Sequence, residues 1–307
     1  MKFGFGVQIW LRDNHLENFY RMLDEMALEG IDGVEIFYPF LHQWYGRSPG
    51  ELRSLLDMHG LEISSYCSNV CYRDEALRKT TLEEAKARYR FAAEIGCKNV
   101  VTDEAYGSLP LGCSLSDHIK KVAEGTNSLG DFANSLGLTL SWHNHWGSTF
   151  ETLEPYEMFV GLLDNDCCGL CIDVGQLKLG GINETEIVGK YAKKVKFMHY
   201  KDVSFKGRPS GRIYPGGPDV PENTGAYTVD AKGRWVELGR GDVDFIGVTK
   251  ALLAVGYDGW IVDDLDSTSY SARESLAACK DYLNNGLGIW TERDYKTGKK
   301  TRAASVG

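Results

Sequence analysis

Residues 133–143, ANSLGLTLSWH, end a helical pattern at Gly137 and continue as a run of apolar and β-branched residues. Glycine closes helices because it adopts the left-handed conformation at no steric cost. An apolar run of this length is typical of a buried parallel strand. The same order of helix, glycine and strand recurs in four other stretches: MALEGIDGVEIF (26–37), LDMHGLEISSY (56–66), AAEIGCKNVVT (92–102) and LLAVGYDGWIV (252–262).

Extending this pattern over the chain predicts eight strands that alternate with eight helices. The strands are expected near 3–9, 33–37, 61–66, 98–102, 138–145, 168–173, 195–200 and 259–264. The helices are expected near 14–29, 49–59, 81–95, 115–136, 154–163, 184–193, 242–255 and 271–285. Eight such pairs close a (β/α)8, or TIM, barrel, and we predict one barrel domain over residues 1–290. A doubly wound open sheet is the alternative, disfavoured because no G-x-G-x-x-G follows the first strand.

Two segments fall outside the repeat. Residues 203–240 lack apolar periodicity and contain four of the eight prolines, which indicates a long loop after strand seven. In a barrel this loop lies at the carboxyl-end rim, where active sites are found, so we interpret it as a lid or a partner-binding loop. A surface insertion without function is the alternative. Residues 291–307 are polar and basic and are expected to form a C-terminal tail.

Composition excludes several classes of protein. The net charge of −9 argues against a nucleic-acid partner, because phosphate binding needs clustered Lys and Arg. No stretch approaches the ~20 apolar residues of a membrane span, and the amino-terminal sequence lacks a signal-peptide pattern, so we expect a cytoplasmic protein. The eight cysteines lie mostly in apolar segments, where they act as small hydrophobic residues. A zinc site at Cys167, Cys168 and Cys171 is disfavoured because a second C-x-x-C pair is missing.

Ionisable residues follow the ends of most predicted strands. Parallel strands end at the same mouth of a barrel, so this convergence is costly unless a cation or a substrate compensates it. Mixed oxygen and nitrogen ligands without thiolate suit manganese, magnesium, cobalt, iron or zinc. The alternative is a mouth without metal, in which the acids pair with Lys201 and Arg240. The residues concerned are Glu35, Asp103, Glu104, His143, His145, Glu151, Asp173, His199, Lys201, Asp202, Asp263, Asp264 and Asp266.

Three phrases carry a family resemblance: HNHWGSTFET (143–152), CIDVGQLKLGG (171–181) and MHYKDV (198–203). With them the chain resembles the xylose isomerase-like barrel superfamily of sugar isomerases and epimerases, and in it the branch of inosose dehydratases and 3-keto-glycoside lyases. The resemblance implies a divalent metal, with Mn2+ as the expected ion, held by Asp173, His199, an acid of strand eight and a strand-five ligand. It also implies that Lys201 contacts the substrate.

The chain departs from the family pattern at three positions. Gln176 stands where relatives usually have His, and Asp264 offers a shorter side chain than their usual Glu, with Asp263 facing the other way. The strand-five ligand is either Glu151 or His143; we favour Glu151, which leaves His143 and His145 free for catalysis. The remaining expected substrate contacts are Glu35, Glu104, Trp146, Gln176 and Arg240.

These residues favour a lyase mechanism. We hypothesise that the metal polarises a ketone of a cyclic keto-sugar or keto-inositol, that His145 removes the adjacent proton, and that His143 or Lys201 assists the leaving group in a β-elimination. A two-glutamate epimerase is not indicated, because strand five offers histidines and strand eight aspartates. A sugar isomerase or epimerase and a non-catalytic sugar-binding barrel remain alternatives. A small second subunit or a second copy of the chain is the expected protein partner.

Overall fold

A closed barrel of parallel strands forms the centre of the protein. The computed structural model describes residues 1–11, 16–37, 48–105, 109, 111–205, 211–212, 219–220 and 234–290. In these residues the strands are β1 (Lys2–Gly6), β2 (Gly33–Ile36), β3 (Glu62–Val70), β4 (Asn99–Glu104), β5 (Thr139–His143), β6 (Cys168–Asp173), β7 (Val195–Tyr200), β8 (Asp202–Ser204), β9 (Gly211–Arg212), β10 (Asp219–Val220), β11 (Arg234–Val236) and β12 (Trp260–Asp263). The barrel closes in the order β1-β2-β3-β4-β5-β6-β7-β12, which confirms the predicted (β/α)8 architecture.

The helices surround this barrel. They are α1 (Leu16–Leu28), α2 (Pro49–Met58), α3 (Glu75–Glu94), α4 (Leu115–Ser135), α5 (Leu153–Leu162), α6 (Val174–Leu179), α7 (Glu184–Tyr191), α8 (Phe245–Ala254) and α9 (Ala272–Asp281). The main hydrophobic core lies between these helices and the strands, and its largest fully buried side chains include Trp142, Tyr66 and Phe159.

The five glycines of the repeated phrase close helices as predicted. Gly30, Gly60, Gly96, Gly137 and Gly256 all have positive φ angles, between 65° and 82°. This conformation strains any residue with a Cβ, so a side chain at these positions would disfavour the turn from helix to strand. The glycine pattern therefore determines where each helix stops and each strand begins.

Two local differences from the predicted elements affect the mouth of the barrel. Strand β5 ends at His143 rather than at His145, so His145 lies in the turn that follows. The short helix α6 was not predicted; it begins directly after Asp173, whose side chain caps it by accepting a hydrogen bond from the Gln176 amide at 2.9 Å. With only 6 residues, α6 is too short to produce a clear apolar period in the sequence.

The long segment after strand seven leaves the barrel through a hairpin base. Strands β8 and β11 pair antiparallel, with Ser204 opposite Arg234 and Asp202 opposite Val236. The Asp202 carboxylate accepts hydrogen bonds from the amides of Gly241 at 2.7 Å and Val203 at 2.9 Å. Most of the predicted loop lies outside the described residues, as does the predicted tail 291–307.

Candidate active site

Four residues from neighbouring strands meet at the carboxyl-end mouth of the barrel. His143 ends β5, Asp173 ends β6, His199 lies in β7, and Asp264 directly follows β12. One ligand atom of each lies within 4.8 Å of the others, and all four side chains are buried. We call this set the four-ligand cluster.

Several polar atoms of the four-ligand cluster lack hydrogen-bond partners. Asp173 Oδ2 and the Nδ1 atoms of His143 and His199 are buried without one. His199 Nδ1 lies 3.7 Å from Asp264 Oδ2 and 4.0 Å from Asp173 Oδ2. Buried polar atoms almost always have partners, and carboxylate with imidazole is a donor set that divalent cations accept. The cluster therefore fits a divalent metal ion.

A buried ammonium group lies beside the cluster. Lys201 Nζ donates to Asp264 Oδ2 at 2.8 Å and lies 2.7 Å from Asp266 Oδ2. It also lies 4.7 Å from the ring centroid of Trp235 on β11. Burial alone lowers the pKa of a lysine, but the neighbouring carboxylates of Asp264 and Asp266 outweigh it and raise the pKa of Lys201 well above its usual range. Lys201 is thus a fixed positive charge at the mouth.

His145 is held by its neighbours in one orientation. Its Nδ1 donates to the Trp146 carbonyl at 2.6 Å, and its Nε2 accepts from the Gln176 amide nitrogen at 3.1 Å. The backbone amide of Trp146 in turn donates to Gln176 Oε1 at 3.1 Å. Burial, together with the charge of Lys201, lowers the pKa of His145 to about 4. The ring is therefore neutral at pH 7, and lies 5.6 Å from the ring of His143.

Glu151, the favoured strand-five ligand, lies outside the four-ligand cluster. Its Oε2 accepts a hydrogen bond from the Gly147 amide at 3.1 Å, and the side chain is only half-buried. The turn after Gly147 brings the backbone of Glu151 close to Gly180, at the end of α6. The packing there is so tight that a Cβ on Gly180 would lie only 2.0 Å from the Glu151 carbonyl oxygen. His143 occupies the strand-five position of the cluster instead.

Two expected substrate contacts also lie away from the cluster. Glu104 accepts from Arg73 Nη2 at 3.3 Å and from His118 Nε2, so both of its oxygens have partners between the barrel wall and α4. Alternate residues of a strand face opposite sides, which turns Glu104 outward where Asp103 points inward. Arg240 lies 3.3 Å from Glu237 and 5.0 Å from the ring of Tyr270.

The two aspartates at the end of β12 point apart as predicted: Asp264 faces the mouth and Asp263 faces the other side. Asp263 is buried next to Cys279 of α9, and burial raises its pKa well above the usual range. Asp264 Oδ1 accepts a hydrogen bond from the Gln8 side chain, a residue that sequence reasoning missed. A lone polar residue after the first strand gave no signal for this role.

Two other residues complete the mouth. Asn69 donates to Asp103 Oδ1, and burial, with the charges of Glu104 and Asp264, raises the pKa of Asp103 to about 8. Asn144, between the two histidines, bridges β5 and β6: its Nδ2 donates to the Asp173 carbonyl at 3.0 Å and its Oδ1 accepts from the Asp173 amide at 2.9 Å. These hydrogen bonds fix the position of Asp173 relative to His143.

Comparison with known proteins shows which family this chain belongs to. Residues 23–282 match the family model of the xylose isomerase-like TIM barrel, and the chain belongs to this family. It is 26% identical over 307 residues to an inosose dehydratase of Lacticaseibacillus casei, covering 94% of this chain and 98% of that protein. It is also 26% identical over 306 residues to an inosose dehydratase of Geobacillus thermodenitrificans (strain NG80-2), with the same coverage of 94% and 98%.

Solved structures share the fold at lower identity. An IolI protein with a bound zinc atom has a TM-score of 0.73 at 19% identity, covering 94% of this chain and 98% of that one. AsbF from Bacillus anthracis, described as a probable 3-DHS dehydratase, has a TM-score of 0.69 at 16% identity, covering 93% and 99%. These structures agree with the fold, and the family together with the curated relatives identifies the chain as an enzyme of the lyase or isomerase type. None of the helices in the described part of the chain has the length and apolar character needed to cross a membrane.

Proposed function

We propose that the protein is a divalent-metal-dependent lyase that acts on a cyclic keto-inositol or keto-sugar, as its similarity to inosose dehydratases suggests. The reaction breaks a C–H bond next to the ketone and forms a C=C bond. The electron pair of the C–H bond forms the C=C bond while the C–O bond on the next carbon breaks; the departing oxygen takes up one proton, which balances the proton removed from carbon, and leaves as water or as an alcohol. The observation that carries the proposal is the buried four-ligand cluster at the mouth, with Lys201 and His145 beside it.

The ion would be held by His143, Asp173, His199 and Asp264, so His143 takes the place first given to Glu151. When bound, a divalent ion, with Mn2+ as the first to test, supplies a Lewis acid that polarises the ketone of the substrate. The Lys201 ammonium, already buried against Asp264, donates hydrogen bonds to the substrate oxygen that departs. Its three N–H donors allow it to keep one carboxylate partner while it does so.

His145 is the proposed base that removes the proton. The Trp146 carbonyl keeps the ring proton on Nδ1, so the lone pair of Nε2 is the basic position. That lone pair accepts a hydrogen bond from the side-chain amide of Gln176 at 3.1 Å. Gln176 must therefore release Nε2 when the substrate binds, and its exchange of partners couples substrate binding to the activation of His145.

Proton exchange in heavy water tests the reaction class directly. The metal content of the purified protein is measured first, and keto-inositol and 3-keto-glucosides are then followed with and without added metal. Stoichiometric metal with metal-dependent exchange and loss of the leaving group supports the lyase. Exchange that returns the substrate or an isomer without elimination points instead to a sugar isomerase or epimerase, and neither metal nor exchange overturns the proposal.

Two histidine variants separate the ligand from the base. His145→Ala should abolish turnover and leave the metal content unchanged, whereas His143→Ala should lose the metal as well. Retained activity in His145→Ala would refute its role as the base. Full metal content in His143→Ala would return the strand-five ligand to Glu151, which a Glu151→Gln variant then checks.

A further inference from the structure

Glu35 lies beneath the four-ligand cluster rather than at the substrate-accessible mouth. Its side chain is fully buried inside the barrel, and Oε2 lies at an ion-pair distance of 2.8 Å from His199 Nε2, with the two atoms not aligned as a hydrogen bond. The other oxygen, Oε1, accepts from the hydroxyl of Ser65 and from the thiol of Cys67, the latter at 3.2 Å. Both carboxylate oxygens of Glu35 lie against other side chains of the barrel interior, so we interpret Glu35 as a partner of His199 instead of the substrate contact expected from the sequence.

The contact between Glu35 and His199 decides which imidazole nitrogen faces the cluster. With Nε2 turned to Glu35, Nδ1 points to the opposite side, 3.7 Å from Asp264 Oδ2 and 4.0 Å from Asp173 Oδ2. Two ligand atoms bonded to one ion at about 2.0–2.2 Å are themselves separated by roughly 3 to 3.5 Å, so these separations need only a small adjustment. Nδ1 is thus the atom of His199 that can bind a metal.

We propose that Glu35 is the positioning residue of the metal site: it holds the proton of His199 on Nε2 and so directs the Nδ1 lone pair at the ion. This inference rests on the proposed function, because it requires that the four-ligand cluster bind a metal. Carboxylate partners of this kind fix the tautomer and the ring orientation of a metal-binding histidine, and they make it a stronger ligand. Ser65 and Cys67 hold the carboxylate itself in place.

The chain contains a matched control for this pair. Glu104 is also fully buried, and it also contacts a buried histidine through Nε2, in this case that of His118 on α4. His118 is not part of the four-ligand cluster. A loss of charge at Glu104 therefore neutralises a buried glutamate–histidine pair, at a cost in stability at least as large as at Glu35, without altering a metal ligand.

Metal affinity of the full chain tests the proposal without reference to catalysis. The wild type, Glu35→Gln, Glu35→Ala and Glu104→Gln are stripped with chelator, and the Kd for Mn2+ is measured by titration against a fluorescent chelator. We expect Glu35→Gln to bind about 10- to 100-fold more weakly than wild type, as is typical when such a partner is lost. Glu35→Ala should bind more weakly still, because Gln retains an oxygen that can accept from Nε2. Glu104→Gln should stay within about threefold of wild type, since no cluster residue changes.

A second readout reports the geometry of the site. The visible absorption of the Co2+-loaded protein should change in position or intensity in Glu35→Gln and stay the same in Glu104→Gln. If Glu35→Ala does not fold, Glu35→Gln and the milder Ser65→Ala still provide the comparison. Wild-type affinity and an unchanged Co2+ spectrum in Glu35→Gln would overturn the role of Glu35 and leave the proposed function intact. A wild type that binds no metal would overturn the metal site, and with it both proposals.

Discussion

Two buried glutamate–histidine pairs lie on opposite sides of the same barrel wall. Glu35 and His199 face each other inside the barrel at 2.8 Å, whereas Glu104 contacts His118 between β4 and the surrounding helix α4. Both pairs are almost fully excluded from solvent. Inside, the second nitrogen of the histidine faces two more carboxylates; outside, the glutamate has an arginine, Arg73, as its further partner.

This difference shows that the charges around a buried glutamate–histidine pair, and not the pair itself, determine which role the pair has. The outer pair is neutralised by Arg73 and so joins a helix to the barrel. The inner pair lies in a surplus of acid, with Asp173 and Asp264 close to His199, and that surplus calls for a cation. Four predictions, in order of decreasing effect, test this contrast.

Removal of the two histidines should have very different consequences. His199→Ala should lose stoichiometric metal, and turnover should fall at least about 1,000-fold, because a Lewis acid supplies several kcal/mol of transition-state stabilisation. His118→Ala should keep its metal. Elemental analysis of both purified variants, alongside assays of elimination, provides the check. Equal metal contents in the two variants would remove the contrast.

Neutralisation of the two glutamates should affect stability in the opposite way, with the larger loss at the outer residue, Glu104. Glu104→Gln leaves Arg73, whose side chain is only 10% exposed, without its carboxylate, which should lower the free energy of unfolding by about 3 kcal/mol. Glu35→Gln should cost only about 1 kcal/mol in the metal-free protein, because Asp173 and Asp264 still compensate the charge of His199. Urea unfolding of the metal-free variants measures both. A larger loss for Glu35→Gln than for Glu104→Gln would contradict this account.

His145, which is half-buried, is held by an amide instead of a carboxylate. Gln176→Ala removes the hydrogen bonds that Gln176 makes to His145 and to the Trp146 amide. We expect kcat to fall about tenfold, or about 1.4 kcal/mol, through loss of orientation, with metal content unchanged. Steady-state kinetics and elemental analysis distinguish this effect from loss of the metal. An unaltered kcat would mean that Gln176 does not position the base.

Glu29, a carboxylate near the surface, is expected to have the smallest effect on stability of the four predictions. Glu29 accepts from Lys280 at 2.8 Å and from Arg273 at 3.1 Å, and thereby links the end of α1 to α9. Partial burial raises the pKa of Glu29, but the two cations outweigh it and lower the pKa below its ordinary value of 4.5. Stability from this group is therefore present above pH 4.5 and is lost as the pH falls through the native pKa.

Glu29→Gln should thus cost less than about 1 kcal/mol at pH 7. The difference from wild type should shrink below pH 4.5, the ordinary value for this group, and vanish once the native carboxyl is protonated. Chemical unfolding at a series of pH values tests this. A difference that persists at the lowest pH would assign the effect of the substitution to packing instead of charge.

The barrel itself was predictable because its signals are local. A helix that ends at glycine and an apolar strand occupy adjacent residues, and all five such glycines adopt the expected positive φ angle. Because parallel strands end at the same mouth of a barrel, the sequence also predicted that Asp173, His199 and Asp264 lie there. These three residues belong to the four-ligand cluster. Local pattern and topology were sufficient for both results.

The rest of the site depends on geometry that local patterns do not encode. The depth of Glu35 follows from a register shift between Val34 and Glu35, which places Glu35 opposite Ser65 of β3. The choice between His143 and Glu151 depends on the turn after Gly147 and on its packing against Gly180. Neither the bulge nor the turn alters the apolar period from which strands are predicted.

The paired strands β8 and β11 have an implication for how this enzyme can vary. Because Ser204 lies opposite Arg234, the segment between them is inserted into the barrel at a single point. A segment joined at one point in this way can differ in length or composition while the pairing of β8 with β11 is kept. Trp235, the residue after Arg234, lies over Lys201 and so connects the base of this segment to the mouth. The pairing of β8 with β11 thus offers one place where a whole segment can be exchanged to change specificity. Trp235 is the residue through which such a change would reach Lys201.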